Sequence, residues 1–276
     1  MVVEGWGRML EGINYYKEKK FSVFRIRELS ESIKKSMREQ LAEICHGEDY
    51  VKTGRRAYNY ENTIKEFLKR YEKKSEKIRI GMIGELLVHL IFYNYFYEYK
   101  TVTPFFNMEE RSIKKGYDIV LTEVDNPILW ITEVKSGNLH SNKNSNQTMN
   151  DLIGTANEDL TERLNNENVS LWMEAVNCAK ISFDSRNEMK QAVVDVLLDW
   201  NDEATDGSYS SHDKNVILAG VLFADMEDEI NDENAKKKQN RIETTQTFQQ
   251  VYVLEIQKAT YSKIYDFLKE EASSEE

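Results

Sequence analysis

The sequence predicts a mixed α/β (α+β) fold, with a helical N-terminal region followed by a domain in which helices and strands alternate. Two observations support this class. Apolar residues recur at helical spacing in several segments, as at Ile33, Met37, Leu41 and Ile44. Farther along the chain, short runs rich in β-branched and large apolar residues lie between turn formers, as strands do. With 276 residues, 40% of them hydrophobic, the chain is long enough to bury a core.

A helical N-terminal subdomain is predicted over residues 1–78. One helix follows Ser30 and is ended by Gly47, and a second covers about residues 61–73. Residues 1–26 are aromatic and basic without clean periodicity, so the sequence predicts no regular element there.

The second predicted domain covers residues 79–276. It begins with a strongly apolar helix from Gly81 to about Tyr97, in which Gly81 and Gly84 permit close approach to neighbouring elements. Strands are predicted at about residues 100–106, 119–122, 128–135, 216–223 and 250–256.

Three further segments complete this domain. Residues 136–150 are almost wholly polar and are predicted to form a mobile loop, followed by a helix to about Leu164. A helical pair is inserted at about residues 170–202. The segment at about 225–245 is acidic and then basic, and we predict a flexible connection there.

The most informative stretch is a predicted hairpin that contains Asp118 and Glu133. Residues 124–127 supply turn formers between two strand patterns, so the strands are antiparallel. If the turn is centred between residues 125 and 126, opposed positions add to 251, and Asp118 faces Glu133. Opposed side chains have Cβ atoms roughly 5 Å apart, and like charges there are destabilising. A cation would relieve that repulsion.

Strand periodicity brings Lys135 to the same face as Glu133. Two carboxylates and an ammonium group therefore converge. Such oxygen ligands suit Mg²⁺, which leaves its other positions to water and substrate phosphate, and Mn²⁺ accepts the same ligands. The sequence thus predicts a metal-dependent phosphodiesterase site. The alternative is the solvent face of a sheet, where Glu-x-Lys is also common.

The net charge of −11 is unevenly distributed. Residues 1–80 hold 19 Lys and Arg against 13 Asp and Glu, a net of +6, which leaves −17 for residues 81–276. We expect any contact with a nucleic-acid backbone to use basic residues near or within the N-terminal part. The candidates are Arg55, Arg56, Lys73, Lys74, Lys114 and Lys115. Solvated helix faces explain the same pattern equally well.

Cysteine content and hydropathy indicate the compartment. Cys45 and Cys178 lie in helical patterns and are predicted to be core thiols, without a disulfide framework. No apolar run reaches the roughly 18 residues of a membrane span, so we expect a soluble, cytoplasmic protein.

The order of these elements resembles the αβββαβ core of the PD-(D/E)XK nuclease superfamily. The resemblance implies that Asp118 and Glu133 are metal carboxylates and that Lys135 is the catalytic lysine. It also implies that Glu85 is the acidic residue, and further metal ligand, that many members carry on the first core helix. Tyr117 stands where the superfamily name places proline.

Within that superfamily, the spacing of three segments is most similar to the HamA family, the nuclease-like subunit of the Hachiman anti-phage system. The segments are Gly84-Glu85, Gly116-Tyr117-Asp118 and Glu133-Val134-Lys135. The resemblance implies a Mg²⁺-dependent deoxyribonuclease in prokaryotic defence that works beside a superfamily 2 helicase, HamB.

Two alternatives share the predicted fold. The acidic surface favours a catalytically silent interaction subunit that binds or restrains a partner enzyme. A sequence-specific restriction endonuclease would use the same chemistry, but it needs base-edge contacts that the sequence does not identify.

Overall fold

The computed structural model describes residues 10–106, 116–166, 169–183 and 188–273. Within these ranges, one seven-stranded mixed sheet lies between two layers of helices. The strands are β1 Ile13–Lys17, β2 Phe21–Ile26, β3 Tyr99–Thr101, β4 Ile119–Glu123, β5 Leu129–Asn138, β6 Asn215–Phe223 and β7 Gln250–Lys258. The helices are α1 Glu31–His46, α2 Glu48–Lys52, α3 Tyr60–Glu72, α4 Glu76–Tyr95, α5 Ser145–Leu164, α6 Val169–Ser182, α7 Glu188–Thr205, α8 Asp232–Glu243 and α9 Ser262–Ser273, with a 3-10 turn at Arg56–Tyr58.

The sheet has the strand order β1-β2-β7-β6-β5-β4-β3. The pairs β2–β7, β7–β6 and β6–β5 are parallel, whereas β1–β2, β5–β4 and β4–β3 are antiparallel pairs toward the two edges. All nine residues of β6 are buried, as expected for a central strand covered on both faces. The predicted mixed α/β class is confirmed, and α4-β3-β4-β5-α5-β6 follow one another in the order αβββαβ.

Alternate strand residues separate into two cores. We call one side the α4 face: there Leu121, Val134 and Leu254 pack with α1, α3, α4 and α9. The other side is the α5 face, where Ile131, Leu218 and Val253 pack with α5, α6, α7 and α8. Because α1 and α3 belong to the α4-face core, the N-terminal helices share a core with the sheet.

Residues 13–26, for which the sequence predicted no regular element, add strands to the predicted helical subdomain of residues 1–78. They form β1 and β2, and β2 pairs in parallel with β7. Five of the six β2 residues are buried, so the strand lacks the alternation of apolar and polar residues that would have identified it.

The segment at about 225–245 is also corrected, because it contains helix α8. The Asn231 side chain caps this helix by accepting a hydrogen bond from the Asn234 amide at 2.8 Å. Ala235, Gln239 and Ile242 form its buried stripe, which is too short and too polar to stand out in the sequence. Helix α8 connects the parallel strands β6 and β7, which need such a crossover.

The other helical predictions have different outcomes. The inserted pair is confirmed as α6 and α7. The predicted loop at 136–150 is shorter than expected, because β5 extends to Asn138 and α5 begins at Ser145 behind a capping box of Asn144 and Gln147.

Both cysteines are buried free thiols, as predicted. Among the residues with described structure, no helix has the length and apolar character of a membrane span.

Candidate active site

The site begins with the register of β4 and β5. Ile119 is opposite Thr132 and Val120 is opposite Ile131, so opposed positions add to 251 as predicted. One position farther, Asp118 is opposite Glu133. The Asp118 carboxylate accepts a hydrogen bond from the Val134 amide at 2.8 Å, which holds it against β5.

Glu133 is the centre of the site. Its side chain is 0% exposed and projects on the α5 face. Lys135 Nζ donates to Oε1 at 2.7 Å, and Arg163 Nη1 donates to Oε2 at 3.0 Å. Burial, followed by the charge of Asp118, raises the pKa of Glu133 to about 7 against the opposing charges of Arg163 and Lys135. Burial and Asp118 thus oppose the carboxylate form of Glu133, and the two cations favour it.

Lys135 joins Glu133 to a further carboxylate. Its ammonium group also donates to Asp159 Oδ2 at 2.7 Å, and its side chain is 23% exposed. Burial alone would lower the pKa of Lys135, but Glu133 and Asp159 outweigh it and the pKa is raised. Lys135 is thus a fixed cation at neutral pH and not a general base.

Helix α5 supplies Asp159 and Arg163, one turn apart on the same helix face. Its apolar residues Met149 and Ile153 dock on β6 at Gly220. A Cβ at Gly220 would lie 2.4 Å from Met149 Sδ and 3.1 Å from Ile153 Cδ1, so glycine permits this close approach.

Sequence analysis did not identify Asp159 or Arg163. The available signal was a pair of opposite charges four residues apart on a helix that follows the Glu-x-Lys strand. The same spacing is common on solvated helix faces, so it did not distinguish these two residues from their neighbours.

Glu85 lies on α4, in the opposite helical layer from α5. A Cβ at Gly84 would overlap Ser136 Oγ at 1.8 Å, so α4 packs closely on the α4 face of β5, whereas Glu133 and Lys135 project from the other face. By contrast, no described atom lies within 4 Å of a Cβ built at Gly81. The Glu85 charge raises the pKa of the buried Cys45 thiol, after the larger effect of burial.

The donor set bears on the predicted metal. Within the described part of the chain, no three His, Cys, Asp or Glu side chains cluster as a metal site, so Glu85 does not complete a three-carboxylate cluster with Asp118 and Glu133. Two carboxylates remain, which is the number Mg²⁺ commonly takes from a protein when water and phosphate complete its shell. Three acidic and two basic side chains give the cluster a formal charge of −1. The residues fit a divalent cation that competes with Arg163 for Glu133.

The predicted nucleic-acid contacts are spread apart. Arg55 and Arg56 are exposed before α3, and Lys73 and Lys74 are exposed after it. The 13 residues of α3 separate the two pairs by about 20 Å. Lys114 and Lys115 lie outside the described residues. The four described residues therefore do not form one patch.

A family model for HamA matches residues 11–272. The chain belongs to the HamA family. The match includes every described residue of the site and supports a role in Hachiman anti-phage defence. A comparison with curated proteins finds no match.

Proposed function

We propose that this HamA-family chain is a metal-dependent deoxyribonuclease of the PD-(D/E)XK type, regulated by a partner helicase. One observation carries the proposal. Asp118 and Glu133 oppose each other on adjacent strands, and the ammonium group of Lys135 lies 2.7 Å from Glu133.

The residues have separate roles in this proposal. Asp118 and Glu133 hold Mg²⁺ or Mn²⁺. A bound divalent cation would make its water more acidic and stabilise negative charge on phosphate oxygens. Lys135 remains protonated and donates to the attacking water or to a phosphate oxygen.

Asp159 and Arg163 position these groups. Asp159 provides a second carboxylate contact to the Lys135 ammonium group, and Arg163 donates to the second Glu133 oxygen. Both side chains are partly exposed, at 43% and 35%, so the cluster opens toward solvent on the α5 side. A phosphate group can approach from that side without opening the sheet.

The net negative charge of the chain supports a role for a partner helicase. The chain carries −11 overall, and its acidic part contains the site, so isolated affinity for a polyanion is weak. A helicase that holds DNA would deliver the strand and offset this repulsion. The proposed assembly therefore consists of this chain, the helicase and the DNA substrate.

The test measures cleavage of linear and supercoiled plasmid DNA by the full chain, alone and with a superfamily 2 helicase of a Hachiman system. Mg²⁺ and Mn²⁺ are compared with EDTA. Asp118→Asn and Lys135→Met should each lower metal-dependent cleavage by about 10³-fold while circular dichroism shows an unchanged fold. Cleavage that persists in both variants would refute the assignment.

One observation favours a second candidate, a catalytically silent subunit that binds a partner enzyme. Both Glu133 oxygens already accept hydrogen bonds from cations, so the cluster is satisfied as a structural ion-pair network. This candidate predicts that the helicase complex forms normally and that neither Mg²⁺ nor Mn²⁺ yields DNA cleavage.

A further inference from the structure

A cavity of about 590 Å³ is lined by none of the residues used in the proposed chemistry. It is bounded by the end of α1, by α2, by the 3-10 turn, by α3 and by Phe106. Its volume is within the range that binds small molecules, roughly 300 to 1,000 Å³.

One wall of the cavity is aromatic. Tyr50 and Tyr58 stack with ring centroids 4.8 Å apart and an interplanar angle of 13°. His46 packs edge-on against Tyr58 at 5.2 Å. Both tyrosines line the cavity and are only half-buried, so part of each ring system faces the open space. A partly open aromatic stack of this kind is a platform on which nucleobases pack.

Another part of the lining is cationic. Lys65 and Lys69 lie one turn apart on α3, both exposed and both lining the cavity. Arg70 lies over the Phe106 ring at 4.3 Å and forms a salt bridge with Glu66 at 2.6 Å. Glu66, the acidic side chain in this part of the lining, is therefore already paired.

The two lysines are available for a ligand. The contact of Lys69 with Glu66 is long, at 3.8 Å, and the described residues include no ion-pair partner for Lys65. Burial, and then the charge of Arg70, lowers the pKa of His46 to about 4, so its imidazole is neutral at pH 7. The cations Lys65, Lys69 and Arg70 and the carboxylate Glu66 give this surface a net charge of +2, whereas the chain as a whole carries −11.

An aromatic stack and a doubly positive surface in the lining of one cavity match a ligand with a planar ring at one end and a phosphate at the other. We propose that this cavity binds one nucleotide, with its base on Tyr50 and Tyr58 and its phosphate on Lys65 and Lys69. The nucleotide is either free or part of a single strand.

The cavity also has a physical link to the candidate active site. Ile181 of α6 lines the cavity, and Trp172 of the same helix packs on Tyr117 at 4.7 Å, beside Asp118. Ile181 follows Trp172 by nine positions on α6, an axial distance of about 13 Å. The nucleotide proposal does not depend on catalysis, because binding is measured without metal.

The experiment measures binding to the full chain in EDTA. Calorimetry follows AMP, dTMP and inorganic phosphate, and fluorescence anisotropy follows an eight-residue oligo-dT and an abasic strand of equal charge. Removing the bases should weaken strand binding about tenfold. Saturable binding of a mononucleotide supports the cavity with a free ligand, and binding of oligo-dT alone supports it with a strand.

Variants separate the cavity from general electrostatics. Lys65→Glu with Lys69→Glu should weaken binding at least tenfold, and Tyr58→Leu should remove the difference between oligo-dT and the abasic strand. Lys236→Glu with Lys237→Glu, an exposed pair on α8, makes the same charge change elsewhere and should leave binding unaltered. Equal losses in both lysine pairs, or no binding of any nucleotide by the wild-type chain, would overturn the proposal. Because binding is measured in EDTA, without metal or cleavage, failure of the cavity proposal leaves the nuclease proposal standing.

Discussion

Two fully buried glutamates on the same face of the sheet show what distinguishes a reactive cluster from a buried charge. Glu255 of β7 lies in one cross-strand row with Gly220 and Lys135, two strands away from the Glu133 strand. Both glutamates are 0% exposed, and burial raises the pKa of Glu133 to about 7 and of Glu255 to about 8.

The surroundings of the two residues differ. Glu133 has a carboxylate opposite it and two cations within hydrogen-bond distance. Neither oxygen of Glu255 has a hydrogen-bond partner among the described residues, and the charges of Arg25 and Lys238 act on it only at longer range. Burial alone therefore explains a raised pKa. The opposed carboxylate and the solvent-facing cations are what make the Glu133 cluster a candidate for chemistry.

The largest effect should come from exchanging each glutamate for its neutral isostere. Glu133→Gln should lower metal-dependent DNA cleavage about 10³-fold, because it removes a proposed metal ligand and the partner of Lys135. Glu255→Gln is the matched control and should cleave at the wild-type rate. A plasmid-nicking assay measures cleavage by both variants. Similar losses of cleavage in both would show that Glu133 has no special role compared with Glu255.

The second effect is a pH-dependent stability term at Glu255. Its pKa of about 8 in the folded chain exceeds the 4.5 of an ordinary glutamate, so between these pH values the unfolded chain releases a proton that the folded chain retains. Stability should fall as pH rises through this window, by on the order of 4 kcal/mol. Urea unfolding at pH 5 and pH 8 should show that the free energy of unfolding of Glu255→Gln increases relative to that of the wild type as the pH rises. A constant difference would contradict the buried, unpaired state of Glu255.

A smaller effect should follow from removing the cation that holds Glu133. Arg163→Met leaves Glu133 with Lys135 alone, and we expect a loss of about 2 kcal/mol in the free energy of unfolding, less than for a fully buried pair because Arg163 is 35% exposed. The loss should be greater at pH 8 than at pH 5, since only the ionised carboxylate needs the cation. Urea titration of Arg163→Met and Arg163→Lys provides the comparison, and equal stability of all three proteins would show that the pair contributes nothing.

The smallest effect concerns Gly220, which lies between Lys135 and Glu255. Gly220→Ala places a methyl group against Met149 of α5, and a cost of about 1 kcal/mol is expected because the flexible Met149 side chain can move. A small outward shift of α5 would displace Asp159 and Arg163 and lower DNA cleavage several-fold. Val221→Ala, on the neighbouring residue of the α4 face, is the control for stability loss without a shift of α5. Cleavage at the wild-type rate in Gly220→Ala would show that α5 does not position the site.

The sequence predicted the parts of the site that depend on local geometry. A short turn sets the register that places Asp118 opposite Glu133, and strand alternation places Lys135 beside Glu133. Asp159 and Arg163 depend on how α5 docks at Gly220, a long-range contact with no local signal. The Glu85 prediction relied on family resemblance, and the structure places α4 on the other face of β5.

The same distinction holds for the fold. Helices with long apolar stripes, such as α1 and α3, were predicted from spacing alone. Strand β2 and helix α8 were not, because one is buried on both faces and the other has a stripe of only three buried residues.

Binding of Mn²⁺, followed by electron paramagnetic resonance of the free ion, tests the central claim most directly, since it needs neither DNA nor a helicase. The wild-type chain and Glu255→Gln should each bind one ion. Asp118→Asn and Glu133→Gln should bind it at least about tenfold more weakly. Unchanged Mn²⁺ affinity in both of these variants would contradict the assignment of Asp118 and Glu133 as the metal site.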